Sequence, residues 1–274
     1  MPAQIFTDSE RPDLFDRLDE LEDPWPEFIH HDDVVVERWP LLHEQLPDFQ
    51  LILYDPDTDT VLGRGCTIPV SWDSRNETLS GGMVDVLVEA LADRAHANVL
   101  CALVAVVDPR QQGRGLSGHI IGGMAEAAGQ AGLECLIAPV RPTWKERHPL
   151  VPLEEYMHWT REDGLPFDPW IRLHSRLGAE ILGLAPRSLD ISGTVAEWES
   201  WTSMSFPEDG DYVVPGALVP VRFEDGAGRY IEPKSGCDTS RASGSVRCET
   251  ARARAARRRR GSPARSACPL SGRG

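Results

Sequence analysis

The residue types and spacing with chemical potential are gathered in one run, Asp108-Pro109-Arg110-Gln111-Gln112-Gly113-Arg114-Gly115-Leu116-Ser117. The valine-rich run Val99 to Val107 before it shows no polar alternation and reads as a buried strand. Asp108 and Pro109 stop that strand, because proline cannot donate to a sheet ladder. After the run, Leu116, Ile120, Met124, Ala127, Ala128 and Ala131 fall on one face at helical spacing. In a strand, glycine loop and helix of this order, the amides of Gln112 to Ser117 are free at the helix start. The helix dipole adds partial positive charge there, so an anion is favoured. Gly113 and Gly115 let the backbone come close to that anion, and Arg110 and Arg114 add charge at the rim. The expected ligand is a phosphate or pyrophosphate. The nucleotide P-loop pattern is excluded, since no Lys followed by Ser or Thr comes after the second glycine. A dinucleotide reading of Gly113, Gly115 and Gly118 lacks the acidic residue that closes the next strand.

The rest of the chain must position this loop. Asp13 to Leu21 reads as a short amphipathic helix, broken by Asp23-Pro24-Trp25-Pro26. Asp33 to Gln45 reads as a second helix interrupted at Pro40. Phe49 to Tyr54 and Val61 to Val70 read as strands joined by an aspartate-rich turn. That turn lacks the central glycine and distal glutamate of a calcium loop. Met83 to Ala95 reads as a helix and Leu133 to Val140 as a strand. Arg141 to Pro166 is a long connection carrying Trp144, Tyr156 and Trp159, of a length often tied to function. Phe167 to Leu177 reads as a helix started by Asp168-Pro169 and ended by Gly178. Thr194 to Trp201 and Tyr212 to Phe223 read as the last strands.

Composition narrows the function classes. The 274 residues carry a net charge of −15. From Lys234 onward eleven Lys and Arg face two Asp and Glu, a local +9, which leaves −24 on residues 1–233. So acidic a body is a poor nucleic-acid binder, and it favours solubility or a cationic substrate. No apolar run approaches the roughly 20 residues of a membrane span, and the acidic start is unlike a signal peptide. A cytoplasmic protein with no membrane partner is the expectation. His30-His31-Asp32-Asp33 is no metal site by this reading, since adjacent residues rarely converge on one ion and Asp caps a helix. Cys66, Cys101 and Cys135 sit in apolar strand contexts as small hydrophobes, and no CxxC pair supports zinc or redox chemistry.

The run Val107-x-Pro109-Arg110-x-x-Gly113-x-Gly115 resembles the acyl-coenzyme A loop of the GNAT acetyltransferase superfamily. Over residues 49–233, the phrases VDPRQQGRGLS, APVRPTWKERHPL, DGLPFDPWIRLHSRLGA, GTVAEWESWT and YVVPGALVPV are similar to an actinobacterial-type group within it. The resemblance implies an α/β (α+β) GNAT acyltransferase fold. Its central mixed, mostly antiparallel sheet is splayed at the acyl-coenzyme A site and flanked by helices. It implies an acyltransferase that moves an acetyl group from acetyl-coenzyme A to a small-molecule amine by direct attack in a ternary complex, with no metal and with a homodimer left open. Coenzyme binding then falls to Val106, Val107, Arg110, Gln111, Gln112, Gly113, Arg114, Gly115, Leu116 and Ser117. His174 holds the place of the family's tyrosine acid, and imidazolium is a stronger acid than phenol. No acidic residue lies in Val99 to Val107 to serve as base, and Glu197 is the substitute. Trp144, Tyr156, Trp159 and Trp170 are candidate aromatic walls for the substrate, with Asp168 to hold a cation. Three alternatives stay open: a longer acyl group, a hydroxyl acceptor, or a non-catalytic acyl-coenzyme A sensor.

These expectations divide the chain into an N-terminal helical extension, 1–48, a GNAT domain, 49–233, and a basic tail, 234–274. Members of the resembled group end near Glu-Pro-Asn-Val-Trp-Val-Arg-His. Here Glu232-Pro233 is followed by Lys234-Ser235-Gly236-Cys237-Asp238-Thr239. One base restored to AAG TCT GGG TGC GAC AC gives AAC GTC TGG GTG CGA CAC, which encodes the expected ending. The tail is therefore read as a frameshift product, disordered and without function.

Overall fold

A computed structural model describes residues 3–73 and 81–238. In chain order the elements are β1 (Gln4–Thr7), α1 (Pro12–Phe15), α2 (Asp33–Arg38), α3 (Pro40–Gln45), β2 (Gln50–Asp55), β3 (Thr60–Val70), α4 (Met83–Ala92), β4 (Val99–Val107), α5 (Leu116–Gln130), β5 (Leu136–Val140), α6 (Leu153–Tyr156), α7 (Pro169–Arg176), β6 (Glu180–Thr194), α8 (Val195–Thr202), β7 (Gly210–Tyr212), β8 (Val221–Glu224) and β9 (Ala227–Asp238). They build one sheet in which β1, β2, β3 and β4 pair antiparallel in sequence, and β4 then pairs parallel to β5. Both edges of β9 are paired. β6 lies along one edge, while β5 and β8 share the other, and β7 pairs with β8. The mixed, mostly antiparallel sheet with flanking helices is the fold class expected from the sequence.

Two cores follow from the two faces. Ile68, Cys101, Leu103 and Ile137 pack with α4 and with Trp198 of α8, while Leu51, Leu62, Leu100 and Leu136 pack with Ile120 and Met124 of α5. Continuous apolar runs such as Val99 to Val107 serve a strand covered on both sides. Cys66, Cys101 and Cys135 are buried in the apolar core, as small hydrophobes should be.

The sheet has one structural fault, and it lies beside the glycine loop. β4 and β5 are paired only at Leu100↔Leu136 and Cys101↔Ile137. Beyond these the strands diverge. On its other edge β4 carries a bulge: Cys66 faces Val104 and Thr67 faces Ala102, so Leu103 is an extra residue. A bulge bends and twists the bulged strand, which turns β4 away from β5 where the cavity described below begins.

Several expectations are corrected. Thr194 to Trp201 is not a strand: Thr194 caps α8, its hydroxyl accepts from the Glu197 amide, and the Glu197 carboxylate accepts from the Thr194 amide and hydroxyl. This reciprocal capping box is a strong helix start. Tyr212 to Phe223 is not one strand but β7 and β8 with a loop between them. The long β6 was missed, because register shifts between Ile181 and Gly183 and between Ala185 and Leu189 break its alternation. The first 48 residues are not only helical, since β1 pairs with β2 and extends the sheet. Pro233 falls inside β9, which carries Lys234 to Asp238 into pairs with β5 and β6. The remainder of the tail, residues 239–274, lies outside the described residues.

Because the cap of α8 is exposed and separate from the loop region, Thr194→Ala is expected to lower stability by about 1 kcal/mol. Urea unfolding of the variant checks this, and the midpoint should fall with an unchanged slope.

Candidate functional site

A cavity of about 720 Å³ lies where β4 ends, against the start of α5. Its floor is Ala105, Val106 and Val107, and one wall is Gln111, Gln112, Gly113, Gly115, Leu116 and Ser117. Arg141, Thr143, Glu146, Pro169 and Trp170 form the opposite wall, and the segment Asp23 to Pro26 closes it from the N-terminal side. Gly113 and Gly115 take φ of +82° and +76°, and no atom stands within 4 Å of where a Cβ would be. The glycines are there for backbone conformation, which turns the loop amides toward the helix start. α5 is fifteen residues long, so its full N-terminal dipole faces this wall.

The two loop arginines do not line the cavity. Arg110 is clamped to Asp108, whose carboxylate also accepts from the Arg110 amide, and its guanidinium donates to the Glu20 carbonyl at 2.9 Å. The Arg110 hydrogen bond holds the Asp108 carboxyl below its ordinary range. Arg110 thus caps the end of β4 and ties the N-terminal segment to the loop. Arg114 donates to Gln111 Oε1 at 2.6 Å. The charge that the sequence assigned to the cavity rim is therefore spent within the loop.

Asp168 is placed as a structural hub. It is buried, and its two oxygens accept from the amides of Thr143, Trp144, Trp170 and Ile171 and from the Tyr156 hydroxyl. One carboxylate therefore caps α7, fixes the loop after β5 and anchors α6. With every approach taken by donors from the protein, it is not positioned to hold a substrate cation. Tyr156 and Trp159 pack with His148 and Phe167 in an aromatic cluster, and Trp144 packs on Phe167. Of the four aromatic candidates, only Trp170 is on the cavity wall.

A second, narrow cavity of about 60 Å³ opens between the diverging β4 and β5, sharing Trp25, Ala105, Arg141 and Trp170 with the first. His174 and Lys234 reach it from opposite elements, α7 and β9. His174 is buried, with Nδ1 lacking a partner, and its ring meets Trp170 edge-on at 5.3 Å. Burial lowers its pKa to about 4, so the ring is neutral near pH 7. It is not the resident imidazolium that an acid role by simple analogy requires. Lys234 Nζ lies 3.3 Å from Met83 Sδ, and burial lowers its pKa to about 8. Glu197, the expected base, is spent on the α8 cap and lines neither cavity.

Sequence reasoning missed Trp25, Asp23, Arg141 and Glu146. The prolines around Trp25 marked a helix break, and nothing in the spacing said that the break is folded over the loop. Arg141 Nε donates to both oxygens of the fully buried Glu232, at 3.1 and 3.0 Å, and its terminal nitrogen donates to the Gly216 carbonyl at 2.6 Å. Its guanidinium sits 5.3 Å from the centre of the Trp25 ring. Tyr230 completes the cluster by donating to Glu232 at 2.7 Å. The Arg141 charge is therefore neutralised inside the protein. Asp23, which accepts from the Trp25 amide at 2.9 Å and meets His30 Nε2 at 3.1 Å, and Glu146 are the carboxylates of the outer wall. Among the described residues no cluster of His, Cys, Asp and Glu could hold a metal, and no helix is long and apolar enough to cross a membrane.

No protein-family model matches the chain. An arginine N-acetyltransferase, avaD, of Aspergillus versicolor is 30% identical over 264 residues, covering 84% of this chain and 91% of the relative. Among solved structures, a GNAT-like decarboxylase, GphF, in complex with isobutyryl-coenzyme A superposes with a TM-score of 0.52 at 20% identity, over 86% of this chain and 98% of the other. The loading GNATL domain of CurA from Lyngbya majuscula gives 0.51 at 20% identity, over 68% and 88%. These two likenesses establish the shared fold.

The His174 environment has a consequence for stability. Its pKa is lower folded, about 4, than unfolded, 6.5. The unfolded chain thus takes a proton that the folded ring refuses, and stability falls as pH drops from 6.5 toward 4. About 2 kcal/mol of the loss at pH 5 is assigned to this ring. Urea midpoints of wild type and His174→Gln compared at pH 7.5 and 5 should show that much less acid sensitivity in the variant. Equal sensitivity would rule out the buried neutral ring.

Proposed function

The chain belongs to the GNAT superfamily of N-acetyltransferases, and on that premise we propose that it moves an acetyl group from acetyl-coenzyme A to an amine of a small cationic molecule of arginine's class. The observation that carries the reading is the continuity of the site: a helix-start amide loop, an unpaired strand edge and an inner cavity follow one another along β4. The coenzyme pyrophosphate rests on the amides of Gln112 to Ser117. Its amide-bearing arm runs along Ala105 to Val107, where β4 has lost β5 as a partner, and its polar groups take the place of the missing strand. The thioester then reaches the mouth of the inner cavity, beside His174.

In this reading the amine attacks the thioester carbon directly. A C–N bond forms, the C–S bond breaks, and the proton released by the amine ends on the leaving sulfur. A main-chain amide of β4 near Val107, free of a strand partner, stabilises the developing oxyanion. His174, which burial keeps neutral, offers a ring nitrogen as a relay through which the amine proton passes to the thiolate. That role replaces the one-way acid drawn from the family's tyrosine. Glu197 has no part in it.

The charge of the outer wall supports a cationic acceptor. Asp23 and Glu146 face the cavity while Arg141 is paired with Glu232, and Trp25 and Trp170 offer ring faces to a guanidinium. The acidic body would raise the local concentration of such a substrate. The arginine named for the Aspergillus relative has this chemistry.

Thiol release and product mass with acetyl-coenzyme A and arginine test the reading. Arginine should gain one acetyl group, and its uncharged isostere citrulline should be a markedly poorer acceptor. Asp23→Asn and Glu146→Gln should each raise the KM for arginine by up to about fivefold, the scale of an exposed charge contact. Thiol release with no amine would reject the proposal. For the coenzyme, Gly115→Val should abolish binding measured by calorimetry, because a β-branched residue resists positive φ. Arg110→Ala should weaken it less than about fivefold, since that guanidinium faces Asp108 and not the cavity.

A further inference from the structure

The inner cavity is larger than an acetyl group needs. About 60 Å³ lies between the strands, and one water-sized group takes roughly 10–15 Å³ on this measure, so roughly four to six such groups fit. Its lining is hydrocarbon over most of its extent: Leu103 and Ala105 of β4, Ile121 and Met124 of α5, and Leu136 and Ala138 of β5. Away from the His174 and Lys234 rim, such a lining offers water few partners and favours apolar occupants. The ionisable groups at its rim are His174, Lys234 and Arg141, the last paired with Glu232. A cationic acceptor is repelled by the Lys234 ammonium and finds no carboxylate there, so the acceptor belongs to the outer wall. The inner space is left for the other reactant.

Resting on the transferase reading above, we propose that the inner cavity is an acyl-chain site that accepts donors with straight chains of about four carbons, and that Met124 sets the length limit. Met124 is fully buried on α5 at the base of this cavity, and it packs close to Gly65 of β3, where a side chain would collide with its methyl group. The glycine leaves room for the methionine, and the thioether is flexible enough to yield to a short chain. It cannot move far, because β3 stands behind it. A butyryl group therefore fits with its terminal methyl against Met124, and an octanoyl group does not.

Calorimetry on the full chain with acetyl-, butyryl- and octanoyl-coenzyme A tests this without knowledge of the acceptor. Butyryl-coenzyme A should bind at least as tightly as acetyl-coenzyme A, with a gain of up to roughly fourfold for each added methylene buried. Octanoyl-coenzyme A should bind more weakly than butyryl. Met124→Phe should shift the butyryl-to-acetyl affinity ratio toward acetyl by about tenfold or more, and Met124→Ala should shift the octanoyl-to-acetyl ratio the other way. Weaker binding of butyryl- than acetyl-coenzyme A to wild type overturns the proposal, as do ratios that neither variant moves. If that happens while arginine is still acetylated, the acyl site alone is lost. If no acyl-coenzyme A binds, the transferase reading falls with it.

Discussion

The molecule depends on an interrupted hydrogen-bond ladder. Two parallel strands, β4 and β5, begin in register and part after two residue pairs. In a closed sheet every buried amide and carbonyl finds a partner, and leaving several unpaired carries a real cost. Three features keep the gap open. The bulge at Leu103 bends β4 from its other edge. β5 is held along its other edge by Ser235 to Asp238 of β9. The loop after β5 is tied to α7 through Asp168. The cavity is thus made by strands that are prevented from pairing.

Asp168 shows how a single buried carboxylate organises what lies around that gap. It brings the amides of two segments that are 25 residues apart in sequence onto one anion, as in the bond from Thr143. This fixes Trp170 on the outer cavity and His174 on the inner one, because both lie on the helix that Asp168 caps. A carboxylate with that many donors is an internal ligand of the fold. The same residue type in an open site would be a ligand for substrate, and sequence alone does not distinguish the two.

What the sequence disclosed follows that distinction. The strand, glycine loop and helix were legible because backbone chemistry is written in glycine, proline and apolar periodicity over contiguous residues. The roles of individual side chains were less legible. Tyr156 and Trp159 looked like substrate walls because they lie in a long connection, yet they pack on His148 and Phe167. Glu197 looked like a strand residue because Val195-Ala196-Glu197-Trp198 alternates, although Thr194 three positions earlier already spelled a capping box. Trp25 and Arg141 carried no local signal, since their meeting depends on a fold that brings distant segments over the same gap.

A division of labour between backbone and side chain explains how the chain can share its fold with structures only 20% identical to it. In the proposed reading the coenzyme end rests on amides at a helix start and along a strand edge, and amides are present whatever the side chains are. The constraints there fall on a few positions: Gly113 and Gly115 for conformation, and Pro109 to end the strand. The outer wall is made by side chains that reach the cavity from the N-terminal segment and from the loop after β5. These segments lie outside the paired strands, so they can change without disturbing the ladder. The Arg110 tie to the Glu20 carbonyl joins the two halves, because it holds the segment that bears Asp23 and Trp25 against the glycine loop. The two walls of the cavity are thereby fixed relative to each other by a side chain that touches neither cavity, which is the geometric condition that the proposed direct attack requires.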